Sequence, residues 1–157
     1  MKYLFSWIAR IGLITLCATG CANVINPPLK DASFELRLVA PEDSASGDSV
    51  EEYKTGDRII VEKETFITVK DLKGVQQITD ANGSPALLIY LNENGRKKLS
   101  DMTAAYIRRK IAVIINGRVV MTPIIMERIS GGNCVITGRY SAAEMKAMMT
   151  QLTGKTE

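Results

Sequence analysis

Histidine is absent from the 157 residues. With it go the side chain most used for proton transfer near neutral pH, most pairs that activate a nucleophile, and the commonest metal ligand. Cysteine occurs only as Cys17, Cys21 and Cys134. Once a leader ending before Cys21 is removed and Cys21 is modified, Cys134 stands alone, so neither a disulfide nor a thiolate zinc site can form within one chain. A long apolar run is also missing: a spanning helix needs about 20 such residues, and Arg10 interrupts the leading stretch to leave about ten. Excess charge of one sign is scarce as well. The formal charge is +3, and Lys2 and Arg10 belong to the leader, so the remainder carries 18 basic against 17 acidic side chains. That balance excludes general nucleic-acid binding by electrostatics.

What is present is globular composition, 46% hydrophobic and 24% charged, in a length that suits one domain. Residues 1–20 have Lys2 near the start, an apolar stretch from Ile11 to Leu16, and the small residues Ala18, Thr19 and Gly20 before Cys21. That order is an export signal. Ala18-Thr19-Gly20-Cys21 resembles the lipobox of bacterial lipoproteins, whose cysteine thiol carries a diacylglycerol after cleavage on its N-terminal side. The small residues give a peptidase access, and a thiolate is the easiest side chain to alkylate. An uncleaved amphiphilic anchor and an ordinary signal with a chance cysteine are the alternatives. Acylated Cys21 would hold the protein on a membrane almost permanently, because each buried methylene adds about 0.8 kcal/mol. Residues 21–33 then read as a lipidated tether stiffened by Pro27-Pro28. No aspartate follows Cys21 directly, which by the lipoprotein resemblance favours the outer membrane in a Gram-negative cell.

Residues 34–152 read as one α+β domain, with 153–157 a tail. Phe34, Leu36 and Leu38 alternate with Glu35 and Arg37, the period of a half-buried strand. Residues 41–57 form an exposed loop with a short helical piece at 50–53, and its carboxylates do not fit a calcium loop. Residues 58–70 supply two strand-like runs, and Leu72, Val75 and Ile78 fall on one side of a short helix over 71–79. Residues 86–91 suit a buried strand, and 93–108 a helix with Leu99, Met102 and Tyr106 inward. Asn116-Gly117 between two β-branched runs marks a type I′ hairpin. A strand from Asn133 carries Cys134 as an inert apolar residue. Ser141 and Glu144 make a capping box for a last helix whose inward stripe is Met145, Met148, Met149 and Leu152, closed by Gly154. These elements imply a two-layer sandwich, mostly antiparallel sheet with helices on one face.

From residue 85 to 152 the order of features resembles the periplasmic head of SecD, the accessory subunit of the bacterial protein-export channel. The resemblance rests on Gly95 at a helix start, Thr103, the strand Ile111 to Ile115 with its Asn116-Gly117 turn, Pro123, the step from Ile129 to Gly132, the strand end from Ile136 to Tyr140, and the helix from Ser141. It implies the SecD-head fold and contact with extended or incompletely folded polypeptide. The proton coupling of SecD depends on transmembrane helices that this sequence does not show, so that activity is not carried over.

Three functions follow. A lipid-anchored envelope module would engage a protein or peptide through an exposed sheet edge or through Ser130, Gly131, Gly132 and Asn133, where glycine permits close backbone approach; a plain turn is the other role for those glycines. Alternatively Arg96, Lys97, Lys98, Arg108, Arg109 and Lys110 would bind anionic lipid or polymer by salt-sensitive attraction, or would be scattered solvent charges. An enzyme is the weakest option, since Glu42-Asp43 and Glu51-Glu52 are neighbours whose side chains point apart, and no nucleophile has an evident base. The sequence therefore nominates no catalytic residue, no metal ligand and no cofactor.

Overall fold

A computed structural model describes residues 25–41, 44 and 46–154; the leader and Cys21 lie outside them. In chain order the elements are β1 (Phe34–Val39), β2 (Asp48–Glu52), β3 (Arg58–Thr68), a 3-10 turn (Val69–Asp71), β4 (Leu72–Thr79), β5 (Pro85–Leu91), α1 (Glu93–Ala105), β6 (Ile111–Ile115), β7 (Arg118–Met121), β8 (Asn133–Ile136) and α2 (Ala142–Thr153). The class is α+β, and the pairing is antiparallel except for β2 with β7.

The strands divide in two. Five close on themselves in the order β1-β3-β2-β7-β6, while β4-β5-β8 form an open sheet. Closure removes the unpaired edges that an open sheet must otherwise protect. All five β6 residues are buried, because successive side chains alternate across a strand: Ile111, Val113 and Ile115 join the main core, while Ala112 and Ile114 join a second cluster with Val61 and Val119. The main core also takes Leu99 and Met102 from α1 and Met145, Met148, Met149 and Leu152 from α2. The methionine stripe is thus core rather than an adaptable surface.

Several local expectations hold. Asn116 and Gly117 have φ of 49° and 73°, both positive as a type I′ turn requires. The Ser141 hydroxyl accepts from the Glu144 N–H at 3.2 Å, the Glu144 carboxylate accepts from the Ser141 N–H at 2.7 Å, and Gly154 closes α2 at φ 68°.

Others need correction. The short helix expected over 71–79 is strand β4, paired along its length with β5. Val75, Ile78 and Thr79 favour the pleated conformation, and Gly74 disfavours a helix. Residues 50–53 are not helical; Val50 lies in β2, opposite Ile59. The two runs in 58–70 are one strand, bent where its register against β1 shifts. α1 ends at Ala105 rather than 108, since Tyr106 is its C-cap and Arg108 takes φ 66°.

Residues 25–33 lie on the domain. Asn26 and Val75 exchange backbone hydrogen bonds of 3.0 and 2.8 Å, and the Leu29 N–H donates to the Leu152 carbonyl at 2.8 Å. Gly74 makes this possible, because a Cβ there would sit 2.3 Å from Ile25 and 3.1 Å from the Asn26 carbonyl.

Candidate functional site

The open sheet ends in β4 on one side, where Asn26 pairs with Val75, and in β8 on the other, which has no outer strand partner among the described residues. β8 pairs with β5 in the register Leu87 to Ile136, Leu88 to Val135, Ile89 to Cys134 and Tyr90 to Asn133. The Leu91 N–H donates to the Gly132 carbonyl at 2.9 Å. In an antiparallel ladder hydrogen-bonded and non-hydrogen-bonded pairs alternate. Cys134 and Ile136 therefore turn their backbone groups to β5, and Asn133 and Val135 turn theirs to the open side. Val135 is 43% exposed, so the edge offers both hydrogen-bonding groups and an apolar side chain.

α1 positions this edge. The chain from Ile125 to Gly132 runs back along the helix: the Arg128 Nε donates to the Ser100 hydroxyl at 2.7 Å, and the Ile129 N–H donates to the Thr103 hydroxyl at 2.9 Å. The Thr103 hydroxyl in turn donates to the Leu99 carbonyl at 2.7 Å. Gly132 then passes beneath Arg96 at φ 72°, where a Cβ would stand 2.8 Å from the Arg96 Cδ. Of the four nominated residues, Gly132 is buried and its glycine is required by the turn. Ser130, Gly131 and Asn133 are exposed, and nothing lies within 4 Å of a Cβ placed on Gly131. Val135 was not nominated by the sequence, although the alternation in "NCVI" places it on the face opposite Cys134 and Ile136.

The start of α1 is anchored with equal care. Asn92 caps it by accepting from the Gly95 N–H at 2.9 Å. Gly95 must be glycine because a Cβ would meet the Asp71 carbonyl at 2.5 Å. Asp71, only 1% exposed, accepts from Lys98 at 2.9 Å, from the Asn94 amide at 2.7 Å and from the Thr68 N–H at 3.0 Å. Burial alone would raise this carboxyl, but those donors outweigh it and hold Asp71 below the usual carboxylate range.

The six nominated basic residues do not form one surface. Arg96 covers Gly132, Lys97 pairs with Asp101 at 2.7 Å and Lys98 pairs with Asp71. The other three lie past the far end of α1, a helix of 13 residues and so about 20 Å away. There Arg109 bonds Glu62 at 2.5 Å and the Val39 carbonyl at 3.1 Å, while Arg108 and Lys110 are exposed. Burial pushes the Cys134 thiol up to about 12, so it stays protonated and unreactive at neutral pH. No group of three metal-ligating side chains occurs among the described residues.

A closed five-stranded barrel joined to an open three-stranded sheet by two capped helices defines a small α+β module whose exposed edge strand is held by a helix rail. Residues 44–155 match the family model of the SecDF P1 head subdomain, and the chain belongs to that family. It is 40% identical over 84 residues to the protein translocase subunit SecD of Acidaminococcus fermentans, covering 54% of this chain and 20% of that protein. With SecD of Aquifex aeolicus it shares 31% over 126 residues, 73% of this chain and 25% of that protein. A solved structure of SecDF, described as a membrane component that enhances protein export, is similar in fold at a TM-score of 0.62 and 22% identity, covering 76% of this chain and 61% of that one. The chain thus spans about a fifth to a quarter of the length of these curated relatives.

Proposed function

We propose that this protein is a periplasm-facing accessory module of the cell envelope, anchored by an acylated Cys21 and engaging extended polypeptide along β8. The observation that carries the reading is the open β8 edge, where Asn133 and Val135 offer unpaired backbone groups beside an exposed apolar side chain. An extended peptide adds to such an edge through main-chain hydrogen bonds, with alternate side chains setting preference. Membership of the P1 head family supports polypeptide as the partner, since its relatives are named protein translocase subunits. Among the described residues no helix is long and apolar enough to cross a membrane, and the reading assigns this module the polypeptide contact rather than the proton coupling of SecD. The order of small residues before Cys21 supports the lipid anchor, and the absence of an aspartate after it supports the outer membrane in a Gram-negative cell.

A photo-crosslinking residue at Val135 tests the peptide reading in cells. Crosslinks to unfolded or exported chains are expected, and they should be lost when Asn133, the other residue whose backbone faces outward, is replaced by Pro to remove its edge donor. Crosslinks of equal yield from Lys73, exposed on β4, would show no preference for this edge. The anchor is tested separately by labelled fatty acid. Cys21→Ser should lose the label and leave the membrane fraction; retention of both would remove the lipoprotein assignment without touching the peptide site.

A further inference from the structure

Seven large apolar residues are exposed among those described, and four of them, Ile60, Ile107, Ile124 and Met126, are 38%, 49%, 51% and 76% exposed. The backbone brings these four to one end of the barrel. Lys110 bridges Ile124, the Arg108 N–H donates to the Ile125 carbonyl at 2.7 Å, and the Ile125 N–H donates to the Arg109 carbonyl at 2.9 Å. Arg108 and Arg109 together face Ile125. Such a two-against-one bulge bends the strand and re-aims a side chain: Arg109 bonds Glu62, while Arg108, at φ 66°, is exposed. On the adjoining strands the Val39 N–H donates to the Lys110 carbonyl and the Ala40 N–H to the Ile60 carbonyl, both at 2.9 Å. A shallow cleft of about 280 Å³ between them is lined by Arg58, Ile60, Lys110 and Thr122.

The charges here differ from those at the start of α1. There each lysine has a carboxylate, whereas at this end, among the described residues, the Arg58 side chain bonds only the Ser49 hydroxyl, at 3.3 Å, and Arg108 and Lys110 meet no carboxylate. Among the described residues Asp57 and Glu127 are the exposed acids in sequence beside the patch; Glu42 and Asp43, which follow Pro41, lie outside those residues. An apolar cluster of this kind, rimmed by unpaired cations, matches the headgroup boundary of an anionic bilayer, where apolar side chains enter the interface and Lys and Arg stay with the phosphates.

We propose that this barrel end docks on anionic phospholipid, with Ile107, Ile124 and Met126 entering the interface and Arg58, Arg108 and Lys110 holding the headgroups. This docking does not depend on Cys21 acylation or on the β8 edge.

The test uses the full chain with Trp7→Phe and Cys21→Ser, carrying a single new tryptophan at Met126 or at Val135. Vesicles of phosphatidylglycerol and phosphatidylcholine with brominated acyl chains quench a tryptophan that enters them. Strong quenching is expected for Met126→Trp, with little for Val135→Trp, so any membrane contact by the leader does not mimic the result. It should weaken as salt rises from about 0.1 M to about 1 M, where the screening length falls from about 10 to about 3 Å. Replacing Arg58, Arg108 and Lys110 by Gln should weaken vesicle affinity by about fivefold per cation, with an unchanged thermal melt. Equal quenching at both positions, equal quenching on pure phosphatidylcholine, or none at Met126→Trp would each overturn the proposal. So would an emission shift with soluble polyphosphate and no quenching by vesicles, which assigns the patch to polymer instead.

Discussion

The hydroxyl of Tyr140, just before α2, donates to the carbonyl of Val120 in β7. This bond ties the open-sheet half of the molecule to the barrel. Tyr53 packs edge-on against the same ring with centroids 5.8 Å apart, and the Lys54 ammonium lies 5.4 Å from its centre while bonding Glu144 at 2.7 Å. Burial, followed by the nearby Glu52 and Glu144 charges, pushes the Tyr140 phenol up to about 12, so it remains a donor at any physiological pH.

Tyr140→Phe keeps the ring and removes the donor, leaving a buried carbonyl unsatisfied. Stability should fall by about 1–3 kcal/mol, read from urea unfolding with an unchanged slope. An unaltered midpoint would mean that the two halves are held by packing alone.

Asp71→Asn should cost about 1–3 kcal/mol by weakening the charge-assisted bonds that seat α1. The pH dependence has a definite sign. Asp71 and Glu144 both titrate below their ordinary values, Glu144 at about 2, held first by Lys54 and then by Ser141. Their contributions are therefore present above the ordinary carboxylate range and are lost as pH falls from about 4 toward 2. The acid-side loss should be smaller in Asp71→Asn, measured by thermal unfolding across that range.

Gly132→Ala and Gly131→Ala should separate. The first places a Cβ against Arg96 at positive φ and should cost about 1–2 kcal/mol; the second meets nothing and should fall within about 0.5 kcal/mol of the parent. Adding Arg96→Ala should recover part of the first loss, because it removes the contact but not the backbone strain.

Gly74→Val should push residues 25–29 off β4. Hydrogen exchange at the Asn26 and Val75 amides should accelerate in that variant while the core amides of β6 stay protected. Parallel acceleration throughout would show a global loss of stability instead.

Much of this arrangement is legible in the sequence where one local rule decides it. Asn116-Gly117 demands positive φ, and Ser141 with Glu144 and Gly154 brackets α2, so neither needs a tertiary partner to be recognised. β4 is the opposite case. Its Leu72, Val75 and Ile78 satisfy a helical spacing, and only the distant β5 resolves the ambiguity in favour of a strand. Barrel closure is equally non-local, since β2 meets β7 across more than sixty residues through short contacts that leave no periodic mark. The nominated turn at Ser130 to Asn133 lies beside the open edge; the alternation in "NCVI" sets Val135 on the face opposite Cys134 and Ile136, but which of the two faces is exposed is decided only by the packing. Gly95 and Thr103 were legible as features of the family resemblance; the roles found for them, clearance for Asp71 and a hydroxyl relay to Ile129, emerge only from the packing.

The most direct test of the open β8 edge as the peptide site is amide hydrogen exchange, residue by residue, on the folded protein with and without a permanently unfolded polypeptide. Exchange at Asn133 and Val135 should slow markedly on binding, while Cys134 and Ile136, already bonded to β5, should change little. Binding that leaves Asn133 and Val135 exchanging at their free rates, or no binding at all, would contradict the account.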